Sequence, residues 1–186
     1  MAACSVLTSG VATPVDLGYA GDVAFIGIAS IGFDSDVQER VLSSRLPLGQ
    51  LVCLYGSLAT IFAWKPDSFT CSVDGFPLSL SGWSVAVANT GMYGGGMRLA
   101  PSASVTDGLL DVVTTGAISR KAFLRSLPKV FKGTHVDLAS VSVSQARSVV
   151  LDADRPFRVF ADGDPVATLP CIVTVKSAAL RVLLPA

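Results

Sequence analysis

Two apolar segments separated by a run of glycines constrain this chain more than any other feature. Val85-Ala-Val-Ala-Asn-Thr-Gly-Met-Tyr-Gly-Gly-Gly-Met-Arg-Leu-Ala-Pro101 passes from an apolar run through Asn89 into Gly94, Gly95 and Gly96. Asp107-Gly-Leu-Leu-Asp-Val-Val113 then opens a second apolar run. Adjacent glycines lose much backbone entropy on folding, so they belong where a chain turns sharply or approaches a ligand closely. Both flanking runs are apolar enough to be strands buried on two faces, Trp83 to Asn89 and Leu110 to Thr115.

The rest of the chain repeats the strand-and-turn rhythm. Ser68 to Leu80 alternates around Asp74-Gly75, a hairpin signal. Val23 to Ile28, Val141 to Ser144, Arg147 to Leu151, Phe157 to Phe160, Cys171 to Val175 and Leu180 to Leu184 complete the strands. Three helices are predicted. One runs from Asp36 to Leu46, capped by Ser35 or Asp36. A second spans Gln50 to Ala63. The third runs from Ser119, an N-cap, to Phe131, ends at Gly133 and is bent or shortened by Pro128. Many short strands with few helices and no strand-helix alternation predict a mainly β chain: an antiparallel β-sandwich with a few appended helices, not a Rossmann-type sheet.

With 186 residues the chain suits one domain, 1–186, with one core. Lys plus Arg and Asp plus Glu number 14 each, which gives no electrostatic footprint for nucleic acid. No polybasic run is present to hold an anionic membrane by charge. Hydrophobic residues make up 51% and charged residues 15%, enough for a large core or for a face covered by another domain or by lipid. The charge-free stretch from Leu46 to Trp64 has too short an apolar part to cross a bilayer and is read as a buried helix. Cys4, Cys53, Cys71 and Cys171 are widely spaced, which argues against zinc and for free thiols in a reducing cytoplasm. The lone His135 has no nucleophile elbow to serve and is read as a surface residue.

Acidic pairs are the candidate chemistry. In Ala153-Asp-Arg-Pro-Phe-Arg-Val-Phe-Ala-Asp-Gly-Asp164, a strand delivers Asp162 to a turn at Gly163, with Asp164 two residues on. Such carboxylates can hold a hydrated Mg²⁺ or take a proton from an attacking hydroxyl, although Asp-Gly is also the commonest hairpin signal. Asp107 in Ser104-Val-Thr-Asp-Gly-Leu109 and Asp36 in Ala29-Ser-Ile-Gly-Phe-Asp-Ser-Asp-Val37 are read first as turn and cap residues.

These segments, taken with Thr13 to Gly18, Leu124 to Gly133 and Leu180 to Pro185, come in one order. In that order they resemble the second domain of the diacylglycerol kinase, sphingosine kinase and bacterial lipid kinase family, the β-sandwich of the NAD kinase/diacylglycerol kinase-like architecture. The resemblance implies a C-terminal lipid kinase domain that contributes the acceptor pocket and acidic residues for phosphoryl transfer from ATP to a lipid hydroxyl, diacylglycerol-like. Asp162 and Asp164 stand at the family's Asp-Gly-Glu, as base or as metal ligand through water. Asp36 falls at a head-group acid, and Asn89, Gly94, Gly95 and Gly96 border the acceptor cleft. Arg45 lies near nucleotide phosphates, and Ser104, Asp107 and Leu109 match a Mg²⁺ site of one carboxylate and two carbonyls. The family's Gly-Gly-Asp-Gly-Thr nucleotide loop does not occur in these residues. The expected partners are an N-terminal nucleotide-binding domain, a lipid acceptor and a second copy of the chain. The chain is expected to be inactive alone, and cytoplasmic with peripheral contact at the inner membrane face. A non-catalytic lipid- or protein-binding module, and a soluble sugar or nucleotide kinase of the broader NAD kinase-like group, stay open as alternatives.

Overall fold

The computed structural model describes residues 2–44 and 51–184, with residues 2–5 and 51–55 described by backbone alone. Its strands are β1 (Val11–Ala20), β2 (Val23–Phe25), β3 (Ile28–Gly32), β4 (Asp67–Val73), β5 (Phe76–Ala88), β6 (Leu110–Gly116), β7 (Val141–Ala146), β8 (Ser148–Leu151), β9 (Arg158–Ala161), β10 (Asp164–Thr168) and β11 (Cys171–Leu184). The helices are α1 (Ala2–Ser9), α2 (Phe33–Ser43), α3 (Leu51–Ala63) and α4 (Arg120–Lys132), with a 3₁₀ turn at Thr134–Asp137. All strand pairings among the described residues are antiparallel. The main path is β10-β9-β3-β5-β4-β8-β11-β1-β2, with β6 added on β5 and β7 on β6. The predicted sandwich is therefore the observed fold.

Strand β5 organises it. Its first half alternates between exposed and half-buried residues and pairs with β4 alone, as a one-sided hairpin strand does. From Gly82 onward every residue is buried, because β3 and β6 flank the strand. Val85, Val87, Leu110 and Val112 are at most 1% exposed, and each such side chain contributes about 1.5–3 kcal/mol of burial. An aromatic cluster closes one end of the core. Phe33, Trp64 and Phe123 surround Trp83, whose ring stacks on Phe123 with centroids 3.8 Å apart. The Trp83 indole N–H donates to the Ile118 carbonyl at 3.0 Å, so its one polar atom is satisfied.

Helix α4 obeys its sequence signals. Ser119 Oγ accepts from the Ala122 N–H, and Gly133 closes the helix with φ 74°. The helix nevertheless runs unshortened through Pro128 for 13 residues.

Three further expectations need correction, and one strand has no local signal. Helix α2 starts at Phe33 after Gly32, with no side-chain cap, so Ser35 and Asp36 lie inside its first turn. The Ser35 hydroxyl instead donates to the Ser30 carbonyl. From Gly56 onward helix α3 is buried on one face only: Gly56, Thr60, Ile61 and the following Trp64 face inward, while Leu58 and Phe62 are exposed. His135 is buried at 3% exposure, with Nε2 3.0 Å from the Leu99 carbonyl. Burial lowers its pKa, partly offset by that carbonyl and by Asp137. Strand β1 carries no strand pattern of its own, since Pro14 and Gly18 break it; pairing along β11 forms it. Cys71 and Cys171 are free and buried, and burial raises both thiols. Arg45 lies outside the described residues, as does part of the Leu46 to Trp64 stretch.

Candidate functional site

Antiparallel pairing brings three chain segments to one edge of the sheet. Ile28 opens β3 opposite Ala88, the last residue of β5, while Ala29 pairs with Ala161, the last residue of β9. The next residues, Asn89 and Asp162, therefore leave the sheet side by side.

Asp162 and Gly163 form the two-residue turn between β9 and β10, with φ 51° and 99°. Two successive positive φ values are the hairpin geometry that Asp-Gly favours. The Asp162 carboxylate is tied to the loop before β3. Oδ2 accepts from the Ile26 N–H at 2.8 Å, and Oδ1 accepts from Gly27 at 2.9 Å and Ile28 at 3.1 Å. A second, longer contact of 3.2 Å joins the Gly27 N–H to Oδ2. A side chain at Gly27 would collide with this carboxylate. These four contacts match the about four acceptor sites of an ionised carboxylate, so a further partner on this exposed turn would take the place of the longer Gly27 contact. Asp164, at the start of β10, is exposed.

Asn89 is fully buried. Its Nδ2 donates to the Ile26 carbonyl at 2.8 Å and to the Asp16 carbonyl at 3.0 Å. Asp16, 3% exposed, carries the network onward: Oδ2 accepts from the Gly108 N–H and Oδ1 from the Ala178 N–H, both at 2.7 Å. Its own N–H donates to the Val105 carbonyl. A continuous set of bonds thus runs from Asp162 through the 26–28 backbone, Asn89 and Asp16 to the Ser104–Leu109 loop. A single Asp in Thr13-Pro-Val-Asp-Leu-Gly18 forms no pattern in the sequence, and only its burial marks Asp16.

Within that loop Asp107 is exposed, and its Oδ1 accepts from the Leu109 N–H at 3.0 Å. The Ser104 hydroxyl lies 3.2 Å from that of Thr106. No group of three or more His, Cys, Asp or Glu able to hold a metal occurs among the described residues. One carboxylate with backbone carbonyls is a hard-oxygen set that fits Mg²⁺ with waters completing its shell.

Gly94, Gly95 and Gly96 form the exposed tip of a turn bridged between Tyr93 and Met97. Their φ values of 41°, 70° and 89° require glycine, and a side chain at Gly95 or Gly96 would meet nothing. Below the tip, Tyr93 hydrogen-bonds Asp34 of α2. Burial raises the Asp34 carboxyl to about 6, and the Tyr93 bond opposes that rise. The Tyr93 hydroxyl is pushed well up by burial and by Asp34. Asp36, two residues on, is in an ion pair with Arg155 at 3.1 Å. Arg155 also binds Asp67 at 2.8 Å and lies 4.0 Å from the centre of the Phe157 ring. The structure thus turns Asp34 toward the glycine loop and Asp36 toward a surface clamp.

A family model described as the YegS C-terminal NAD kinase beta sandwich-like domain matches residues 27–184. A diacylglycerol kinase of Mycobacterium tuberculosis is 35% identical over 190 residues, covering 99% of this chain and 61% of that protein. A diacylglycerol kinase of Bacillus subtilis is 25% identical over 169 residues, covering 90% of this chain and 56% of the relative. A solved diacylglycerol kinase structure from Bacillus anthracis superposes with a TM-score of 0.67 at 17% identity, over 96% of this chain and 56% of that one. The chain spans about three fifths of the length of these relatives.

Proposed function

The chain belongs to the lipid kinase family as its YegS-type C-terminal β-sandwich domain, and from that membership we propose that it forms the acceptor wall of an ATP-dependent kinase acting on a diacylglycerol-like lipid. The observation that carries this reading is the shared edge where Asp162, the Asn89 bend and the Ser104–Leu109 loop are joined by hydrogen bonds. Phosphoryl transfer relies on positioning and on charge placed around the phosphates more than on covalent chemistry by the protein. A rigid edge carrying acids suits that task, with the nucleotide held by a partner domain.

In this reading Asp162 exchanges its longer Gly27 contact for the acceptor hydroxyl or a metal-bound water. Asp164 adds charge beside it. Asn89 is a positioning residue, since its amide is buried and holds the 26–28 backbone that in turn holds Asp162. Gly94, Gly95 and Gly96 border the acceptor, Arg45 serves the nucleotide as the family pattern implies, and Asp36 would serve the head group on release from its Arg155 ion pair. Ser104, Asp107 and Leu109 would hold Mg²⁺, which would supply a local positive charge that pins the loop against Asp16. The chain alone is inactive; joined to its nucleotide-binding domain it works on lipid at the cytoplasmic membrane face, and it can pair with a second copy.

Kinetics test the proposal. Joined to its nucleotide-binding domain, the wild-type protein is expected to phosphorylate diacylglycerol, and Asp162→Asn to lose turnover while the thermal unfolding transition persists. Undiminished turnover of Asp162→Asn would instead favour a non-catalytic lipid-binding module.

A further inference from the structure

Helix α4 carries Arg120, Lys121, Arg125, Lys129 and Lys132 and no acidic residue, five of the chain's 14 cationic side chains. Lys121, Arg125 and Lys129 follow one another at four-residue spacing, and Lys132 falls on the same side of the helix. All four are exposed, and none forms an ion pair among the described residues, where the pairs belong to Arg155 and Arg158. Arg120 stands apart, donating to the Trp64 carbonyl at 2.9 Å. Beside the basic stripe runs an exposed apolar one: Leu124 at 39% and Phe131 at 53%, seven residues apart, with Pro128 between them. The opposite face, Phe123 above all, is packed on the core.

Part of this arrangement works against the helix itself. Like charges four residues apart repel. Lys129 and Lys132 in the last turn suit the helix dipole, but two cations in the first turn oppose it, since acids are favoured there. A solvated helix in a chain of zero formal net charge gains nothing from either. Both features suit a helix lying on an anionic bilayer, with the basic stripe at head-group level and the apolar one between the lipids.

The place in the fold agrees. The Arg98 N–H donates to the Val130 carbonyl of α4, and Gly133 abuts Pro101. Arg98 and Pro101, with Thr90, Gly91 and the exposed Met92, line an open hollow of about 500 Å³ next to the glycine loop. A membrane touching α4 would therefore meet the rim of the proposed acceptor site.

We propose that α4 is the membrane-docking element of this domain and that its partner is a bilayer rich in anionic phospholipid. The proposal rests on the lipid kinase reading for its purpose, but its test involves neither ATP nor turnover. In flotation assays at low salt, the chain binds vesicles of equal parts phosphatidylcholine and phosphatidylglycerol and not vesicles of phosphatidylcholine alone. Added salt weakens the binding. The triple variant Lys121→Gln, Arg125→Gln, Lys129→Gln loses affinity on the order of a hundred-fold, at roughly a factor of five for each cation. Leu124→Ser with Phe131→Ser loses a smaller, salt-independent part. Phe76→Ser, at an exposed aromatic outside α4, binds like wild type. Circular dichroism and thermal unfolding verify that each variant folds. Three results overturn the proposal: no binding of the wild-type chain to the anionic vesicles, a folded triple variant that binds like wild type, or equal affinity for duplex DNA at the same salt. None of these touches the kinase reading, which stands or falls on the turnover of Asp162→Asn.

Discussion

The chain contains two Asp-Gly hairpin turns built alike, Asp74-Gly75 between β4 and β5 and Asp162-Gly163 between β9 and β10. Their φ values are 48° and 85° in the first and 51° and 99° in the second. Both aspartates use the carboxylate to accept backbone N–H groups from a segment remote in sequence. Asp74 takes Arg147 at 2.9 Å and Ser148 at 2.8 Å, as Asp162 takes Ile26, Gly27 and Ile28. The difference is where the fold puts them. Asp74 lies just before β5, at the end away from Asn89, while Asp162 leaves the sheet beside Asn89. Identical local chemistry thus serves as a staple at one end of the molecule and, in our proposal, as staple and active group at the other.

The comparison breaks most directly in turnover. In the two-domain enzyme, Asp162→Asn is expected to lower turnover about 10³-fold, within the range for a group that moves or orients a proton. Asp74→Asn is expected to leave it within about two-fold, because no reacting atom lies near a turn used only as a staple. Equal losses would reduce both turns to architecture.

A second measurement asks whether the Asp162 end depends on the buried network behind it. Asp16→Asn replaces an acceptor of two N–H bonds with a group that presents NH₂ to one of them. It is expected to destabilise the chain by about 2–4 kcal/mol in denaturant unfolding. The staples themselves are predicted to match: Asp74→Ala and Asp162→Ala should each cost about 1–2 kcal/mol, since both leave charge-assisted N–H bonds unmade at an exposed turn. A cost several times larger at Asp162 would assign that residue to stability before catalysis.

The smallest effect is one of pH. The folded chain holds a proton on Asp34 up to about 6, while the unfolded chain releases it near 3.8. That contribution is complete below the lower value and disappears as pH rises through the upper one, so stability falls between them. With Asp34 partly exposed, the fall amounts to about 1 kcal/mol after discounting for solvent. Asp34→Asn, neutral throughout, should flatten this slope, and Asp74→Asn should leave it in place; unfolding curves at several pH values decide.

Much of the fold was readable because local signals agreed with one another. Alternation around Asp74-Gly75 announced β4 and β5, and unbroken apolar runs announced the buried half of β5 and the start of β6. The caps of α4 at Ser119 and Gly133 were visible for the same reason. What escaped depends on distant contacts. Strand β1 holds together through β11 despite Pro14 and Gly18, and His135 is buried because Leu99 offers it a carbonyl. At the candidate site the acids could be found but not their directions: Asp34 and Asp36 look equivalent on paper, and only the turn of α2 sends one to Tyr93 and the other to Arg155. The basic stripe of α4 is not a run of consecutive charges: its members are four residues apart and converge only once the helix forms.

Strand β5 has one more implication. Its first half pairs with β4 and its second half lies between β3 and β6, so a single continuous segment is common property of otherwise separate parts of the sheet. Such a molecule has no seam along which to come apart. Cutting it at an exposed loop should yield fragments that stay associated or are degraded together, and never a stable half.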